Sequence, residues 1–249
     1  MKLEVKHLSY AIKDHTILND ISFHAEGKEI LGIIGPNGCG KSTLLAHISR
    51  RLPSEGRVYM DGAAVETMSR RAFARRTAVM MQQREDVAGE LLAEDVVLMG
   101  RYPYKERFQD YSHKDRAIVM AVMKDTGADA LIGKKVGEMS GGERQRVWIA
   151  KALAQEPELL LLDEPMNHLD VKYKISLMEE LKQFQGTVII VLHDLSLAAR
   201  YCDRVLIMKE GRLLEEGKTD AVMTEKALTS LFEIPFYTAS HHGRRYIYF

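Results

Sequence analysis

The sequence predicts an α/β fold. Three features predict it: short apolar runs that fit strands buried on both faces, helical spacing between those runs, and a glycine-rich turn joining one run to a helix. With 249 residues the chain can bury a substantial core, as one large domain or two small ones. Hydrophobic residues make up 46% and charged residues 28%, which places the chain with soluble globular proteins. Lys+Arg and Asp+Glu both number 35, so no global basic excess points to nucleic acid or to an anionic membrane surface. The cysteines are Cys39 and Cys202, too few for a disulfide framework.

Near the N-terminus, Leu3, Val5, Ile17, Leu18, Ile21 and Phe23 alternate in the manner of half-buried strands. The run Glu29–Ile34 ends at Gly35 and reads as a parallel-sheet strand. Helical spacing begins at Ser42 and continues to Ile48. From about Leu91 to Gln155 the patterns are mostly helical, at Asp95–Met99, Lys114–Thr126 and Glu143–Ala154. Two further apolar strands, Leu159–Leu162 and Thr187–Leu192, flank a helical stretch from Lys172 to Phe184. Arg204–Met208 and Arg212–Glu215 around Gly211 read as a hairpin, and the tail Phe236–Phe249 as β-structure. Met1 leads straight into a strand pattern rather than a signal peptide, and no apolar run is long enough to cross a bilayer. A cytoplasmic protein is expected.

The chemistry starts at Gly35-Pro36-Asn37-Gly38-Cys39-Gly40-Lys41-Ser42-Thr43, which fits the P-loop pattern. Its glycines let backbone N–H groups turn towards a polyphosphate, Lys41 reaches the β- and γ-phosphates, and Ser42 offers a hydroxyl to Mg²⁺. Cys39 either fills a small-residue position or brings a reactive thiol into this loop. A second element, Leu159-Leu160-Leu161-Leu162-Asp163-Glu164, is a buried strand ending in acids. P-loop ATPases present their Mg²⁺ carboxylate in this way, so Asp163 takes the metal side and Glu164 the attacking water.

Met139-Ser140-Gly141-Gly142-Glu143-Arg144-Gln145-Arg146 then resembles the signature of ABC transporter ATP-binding subunits. A Ser hydroxyl and glycine amides at a helix start suit an anion. Ser140 with Glu143 also has the spacing of a capping box, so a capped surface helix is compatible with the same residues. Further landmarks follow the family order. Tyr10 stands where an aromatic stacks on adenine, although alone it would read as strand packing. Gln82 stands in the Q-loop as a Mg²⁺ and water contact, with Met81 where the family commonly has Pro and Gln83 beside it. Asn167-His168-Leu169-Asp170 resembles the D-loop, with Met166 replacing the usual Thr or Ser. His193 after the strand 187–192 matches the switch histidine at the γ-phosphate.

The resemblance implies a single ABC ATPase domain over 1–249. Its P-loop NTPase (RecA-like) core would comprise 1–85 and 156–249, with an N-terminal antiparallel β-subdomain and a C-terminal β tail, and residues 86–155 would form an inserted α-helical signature subdomain. It implies ATP and Mg²⁺ as ligands, with Lys41, Gln82, Glu164 and His193 catalytic and Ser42, Gln82 and Asp163 on the metal. Nucleotide contacts would come from Tyr10, Gly35–Thr43, Ser140, Gly141, Gly142 and Asp170. Because family members enclose each nucleotide between one copy's P-loop and the other's signature, it implies a head-to-tail dimer. The dimer would be bound to two transmembrane permease subunits, peripheral on the inner face of the cell membrane, and would serve an extracytoplasmic substrate-binding protein indirectly.

Asp95–Tyr104 contains Gly100-Arg101-Tyr102-Pro103 and looks like the Gly-Arg-x-Pro stretch of importers for ferric siderophores, haem and cobalamin. Residues from about Gln82 to Arg107 would then receive the permease. The alternatives are a soluble ABC ATPase, such as one serving Fe–S assembly, and an exporter cassette.

Overall fold

The computed structural model describes residues 1–81, 89–106, 108–167, 169–241 and 244–249. The chain runs through β1 (Lys2–Ile12), β2 (His15–Glu26), β3 (Ile30–Ile34), α1 (Lys41–Ile48), β4 (Val58–Met60) and β5 (Ala63–Ala64). It continues with α2 (Arg70–Arg76), β6 (Thr77–Met80), α3 (Ala93–Leu98), α4 (His113–Asp125), α5 (Gly141–Ala154), β7 (Leu159–Asp163) and α6 (Val171–Gln183). β8 (Thr187–Val191), α7 (Leu195–Tyr201), β9 (Arg204–Lys209), β10 (Arg212–Lys218), α8 (Thr219–Val222), α9 (Glu225–Phe232), β11 (Tyr237–His241) and β12 (Arg244–Tyr248) follow. Two compact units result: Met1–Met68 with Gly186–Phe249, and Ser69–Gln185.

In the first unit, β1 pairs antiparallel with β2 and β4, and β4 with β5. Leu3, Val5, Leu8, Leu18, Ile21 and Phe23 are buried, which fixes this register because a one-residue slip would turn them all to solvent. Regular pairing of β1 with β2 breaks down towards Tyr10, with register shifts on both sides of it. β3 is buried at every position and pairs in parallel with β8 and β9. β9 and β10 form the expected hairpin, and β11 with β12 the expected β tail. The tail is fastened to α7, where Ser196 Oγ donates to the Ile247 carbonyl at 3.1 Å.

In the second unit, α3, α4 and α5 share a core built from Val96, Val97, Val119, Met123, Val147 and Ala150. β6 and β7 pair in parallel, Thr77 opposite Leu159 through Met80 opposite Leu162. This unit is broader than the helical stretch expected over 86–155, since it also takes in α2, β6, β7 and α6. The α3 helix gives way at Met99 to a 3-10 turn, Met99–Tyr104. Gly100 is required there, because a Cβ would lie 2.3 Å from the Lys151 carbonyl.

Arg101 corrects one expectation. It is 4% exposed and lies beneath the surface instead of on it. Its guanidinium donates to Asp115 at 3.2 Å, to the Ala154 carbonyl at 2.7 Å and to Glu156 at 2.7 Å, and it covers the Tyr104 ring at 4.2 Å. Lys105 also pairs with Asp115. Burial opposes charge on Asp115, but hydrogen bonds from Lys105, Ser112 and Arg101 outweigh it and hold its carboxyl well below the usual range.

Candidate nucleotide site

The P-loop is built by close backbone contacts that exclude side chains. A Cβ on Gly35 would lie 2.1 Å from the Met208 carbonyl. Gly40 caps α1 at φ 102, and a Cβ there would approach the Ile17 carbonyl to 2.8 Å. Lys41 is buried, and its Nζ donates to the carbonyls of Gly35 and Pro36, each at 2.9 Å. Ser42, next along, is exposed at the first turn of α1. No side chain caps this turn and no acid lies in it, so its amides and dipole are left to attract an anion. Cys39 is 5% exposed and burial pushes its thiol pKa up, against the pull of Lys41, which is the setting of an inert structural thiol.

Parallel pairing brings a second residue to the same edge. Ile33 lies opposite Val191, and Leu192 N donates to the Ile33 carbonyl at 3.1 Å. Gly35 and the exposed His193 therefore leave neighbouring strands at their C-terminal ends, where ligands bind in open α/β sheets. Asp194 N-caps α7, accepting from Leu197 N at 3.0 Å, which fixes the turn carrying His193. Tyr10 is half-buried, with its ring centroid 4.7 Å from that of His47 at 70°. The sequence reading passed over His47, which lies on the apolar face of α1 with Leu44, Leu45 and Ile48. A polar residue in that stripe was the available signal.

The acids belong to the second unit. Asp163 ends the fully buried β7 and is 3% exposed. Glu164 turns the chain at φ 50, and its Oε2 accepts from Asn167 Nδ2 at 2.8 Å. Asn167 thus orients the carboxylate, a role its place in the D-loop string did not signal. Because Met80 lies opposite Leu162, the chain after β6 and the acids after β7 leave one edge. Gln82 lies outside the described residues.

The signature begins α5. Ser140 is the N-cap, its Oγ accepting from Glu143 N at 3.3 Å while its own N–H donates to Glu143 at 2.7 Å. The same hydroxyl also bonds the Glu143 carboxylate, so an oxyanion would have to compete with Glu143 for its proton. Lys134 donates to both oxygens of Glu143, at 2.9 and 3.0 Å. Those bonds first, then the Ser140 amide, hold the Glu143 carboxyl down at about 2, against some burial. Gly141 and Gly142 follow in the first turn. Gln145 Nε2 donates to the Pro165 carbonyl at 2.6 Å, joining the signature helix to the turn that carries Glu164. Asp170 N-caps α6, accepting from Tyr173 N at 3.0 Å.

Elsewhere in this unit, Tyr102, Pro103, Phe108 and Tyr111 line an open groove of about 780 Å³ together with Arg70 and Arg71. Arg71 and Arg75 donate to the Pro103 carbonyl at 3.0 and 2.9 Å and hold the 3-10 turn against α2.

A glycine loop between a buried strand and a helix, and a buried strand ending in adjacent acids, define a P-loop nucleoside triphosphatase. A profile of the ABC transporter family matches residues 18–167. The iron(3+)-hydroxamate import ATP-binding protein FhuC of Bacillus subtilis is 38% identical over 93% of this chain and 88% of its own. The ferric enterobactin transport ATP-binding protein FepC of Escherichia coli is 34% identical over 93% and 87%. Among solved structures, cbiO1 of Clostridium perfringens, part of the ABC transporter complex cbiONQ, is 30% identical with a TM-score of 0.76, covering 92% of each chain. The chain belongs to the ABC transporter family, as an ATP-binding and ATP-hydrolysing component. No helix among the described residues is long and apolar enough to cross a membrane.

Proposed function

We propose that this ATPase powers a membrane importer of metal-chelate cargo, of the ferric siderophore, haem or cobalamin type. The observation that carries the reading is the set of relatives at 34–38% identity named for iron-hydroxamate, petrobactin and ferric enterobactin import or transport, each aligned over 93% of this chain. The groove beside Tyr102 and Pro103 is the surface assigned to the permease subunits.

Phosphoryl transfer to water needs positioning and charge neutralisation. Lys41 and the α1 amides take the triphosphate, and Tyr10 takes the base. The Ser42 hydroxyl and the Asp163 carboxylate are hard oxygen donors that fit Mg²⁺, with Gln82 as a further contact. The ion, when bound, supplies Lewis-acid neutralisation of phosphate charge. Glu164, held by Asn167, orients and deprotonates the attacking water, and His193 contacts the γ-phosphate. Ser140, Gly141 and Gly142 of a second copy close the far side in a head-to-tail dimer, with Asp170 at the crossing loop. ATP then favours the closed pair because it makes more contacts there.

Replacing Glu164 by Gln keeps the hydrogen bond from Asn167 and removes the base. ATPase turnover is expected to fall by at least about 100-fold while ATP-dependent dimers persist in size-exclusion chromatography. Wild-type turnover would end the assignment. Cargo class is tested by reconstitution with the permease subunits and comparison of ferric siderophore, haem and cobalamin uptake. ATP-driven uptake of none of them would exclude the import reading.

A further inference from the structure

His47 is 1% exposed and lies on the helix that begins with the P-loop lysine, yet nothing in the phosphate chemistry uses it. Its Nδ1 lies 2.9 Å from the Pro53 carbonyl. A carbonyl only accepts, so Nδ1 carries the proton and Nε2 presents a lone pair. That Nε2 is buried without a hydrogen-bond partner. A polar atom left so costs stability, and an apolar side chain would fill the same space without that cost. What the imidazole does offer is a flat ring whose orientation is locked by the Pro53 bond. It meets the Tyr10 ring at 4.7 Å and 70°, an edge-to-face pairing.

Tyr10 needs such a support. The β1–β2 register shifts between Leu8 and Tyr10 and again between Tyr10 and Ala11, so regular pairing does not fix the direction of its side chain. Irregularities of this kind re-aim side chains, and they leave the new direction to be held by packing.

We propose that His47 is a positioning residue that holds Tyr10 against α1, so that one rigid helix sets both the phosphate subsite at its first turn and the platform for the base. Nucleotide is then read as a base at a fixed separation from a triphosphate. The inference rests on the assignment of Tyr10 to the adenine ring.

The test compares binding of MgATP with binding of magnesium tripolyphosphate, which has no base, and measures ATPase KM and kcat beside them. His47→Phe keeps a ring and loses the Pro53 bond; His47→Asn keeps a donor near Nδ1 and loses the ring. The expected result is a loss of about threefold to tenfold in MgATP affinity, with a matching rise in KM, for His47→Ala and His47→Asn. Tripolyphosphate affinity and kcat should not change, and His47→Phe, which keeps the ring without its lock, should recover part of the ATP affinity lost in His47→Ala. Equal losses for ATP and tripolyphosphate would mean that His47 only stabilises α1, and would overturn the proposal. Wild-type ATP binding by His47→Asn, or no rescue by His47→Phe, would overturn it as well. Should His47→Ala not fold, the Phe and Asn variants carry the same comparison. Tyr10→Ala separates the two layers. If it leaves the preference for ATP over tripolyphosphate intact, the adenine assignment fails. If it abolishes that preference while the His47 variants retain it, only the role of His47 fails.

Discussion

Two helices of this chain start at glycine-containing turns suited to phosphate, and they are stabilised in opposite ways. The α1 helix starts at Gly40 with no side-chain cap and no acid in its first turn. By contrast, α5 starts at Ser140 inside a complete capping box, with Lys134 clamping Glu143 from outside. The first leaves its amides and positive dipole end to an incoming anion; the second satisfies its own end within the Ser140–Glu143 pair. A loop that must grip triphosphate throughout the cycle gains from unsatisfied donors. In the proposed dimer, a surface that meets nucleotide only when two copies close has to be stable on its own, and the capping box serves that need.

The comparison can be broken at three places. Lys41→Ala removes the only buried cation of the first loop and is expected to cut ATP affinity and turnover by about 100-fold or more, measured by nucleotide titration and phosphate release. Unchanged turnover would deny the loop its role. Next, Ser140→Ala should lower unfolding stability by about 1 kcal/mol, whereas Ser42→Ala should stay within about 0.5 kcal/mol, because only the first is a cap. Equal effects in thermal denaturation would erase the contrast. The smallest effect concerns pH. Glu143 is held at about 2 against an ordinary 4.5, so its contribution to stability is complete above pH 4.5 and fades as the pH falls from there towards 2. Glu143→Gln should flatten that acid limb by no more than about 1 kcal/mol, the pair being partly exposed and screened by water. An acid limb identical to that of the wild type would place the source of acid sensitivity elsewhere.

Much of the architecture was legible because it lies in backbone-buried strands. Leu159–Leu162 and Val188–Leu192 admit apolar residues at every position, and runs of that kind can be read directly. The P-loop and signature were legible because their glycines and capping residues are dictated locally. Short elements were not: β4 and β5 span three and two residues, too few for a period to register. α2 carries four arginines in seven residues, so its one buried Phe73 is outvoted by charge. Arg101 misled for the complementary reason. A guanidinium reads as surface until two separate segments, one at Asp115 and one at Ala154 and Glu156, are folded around it. His47 was missed because its significance depends on a ring brought to it from β1, thirty-seven positions away in sequence.

Glu164 also bears on how such a chain can evolve. A non-glycine residue at φ 50 costs about 1–3 kcal/mol, and the Asn167 side chain then holds its carboxylate in place. Glycine there would relieve the backbone at once, so selection for stability alone would favour loss of the acid proposed to act on water. If Glu164 is the hydrolytic base proposed above, the position is one where hydrolysis and backbone stability pull in opposite directions. Descendants that drift to glycine here should become hardier proteins that bind nucleotide and no longer act as motors.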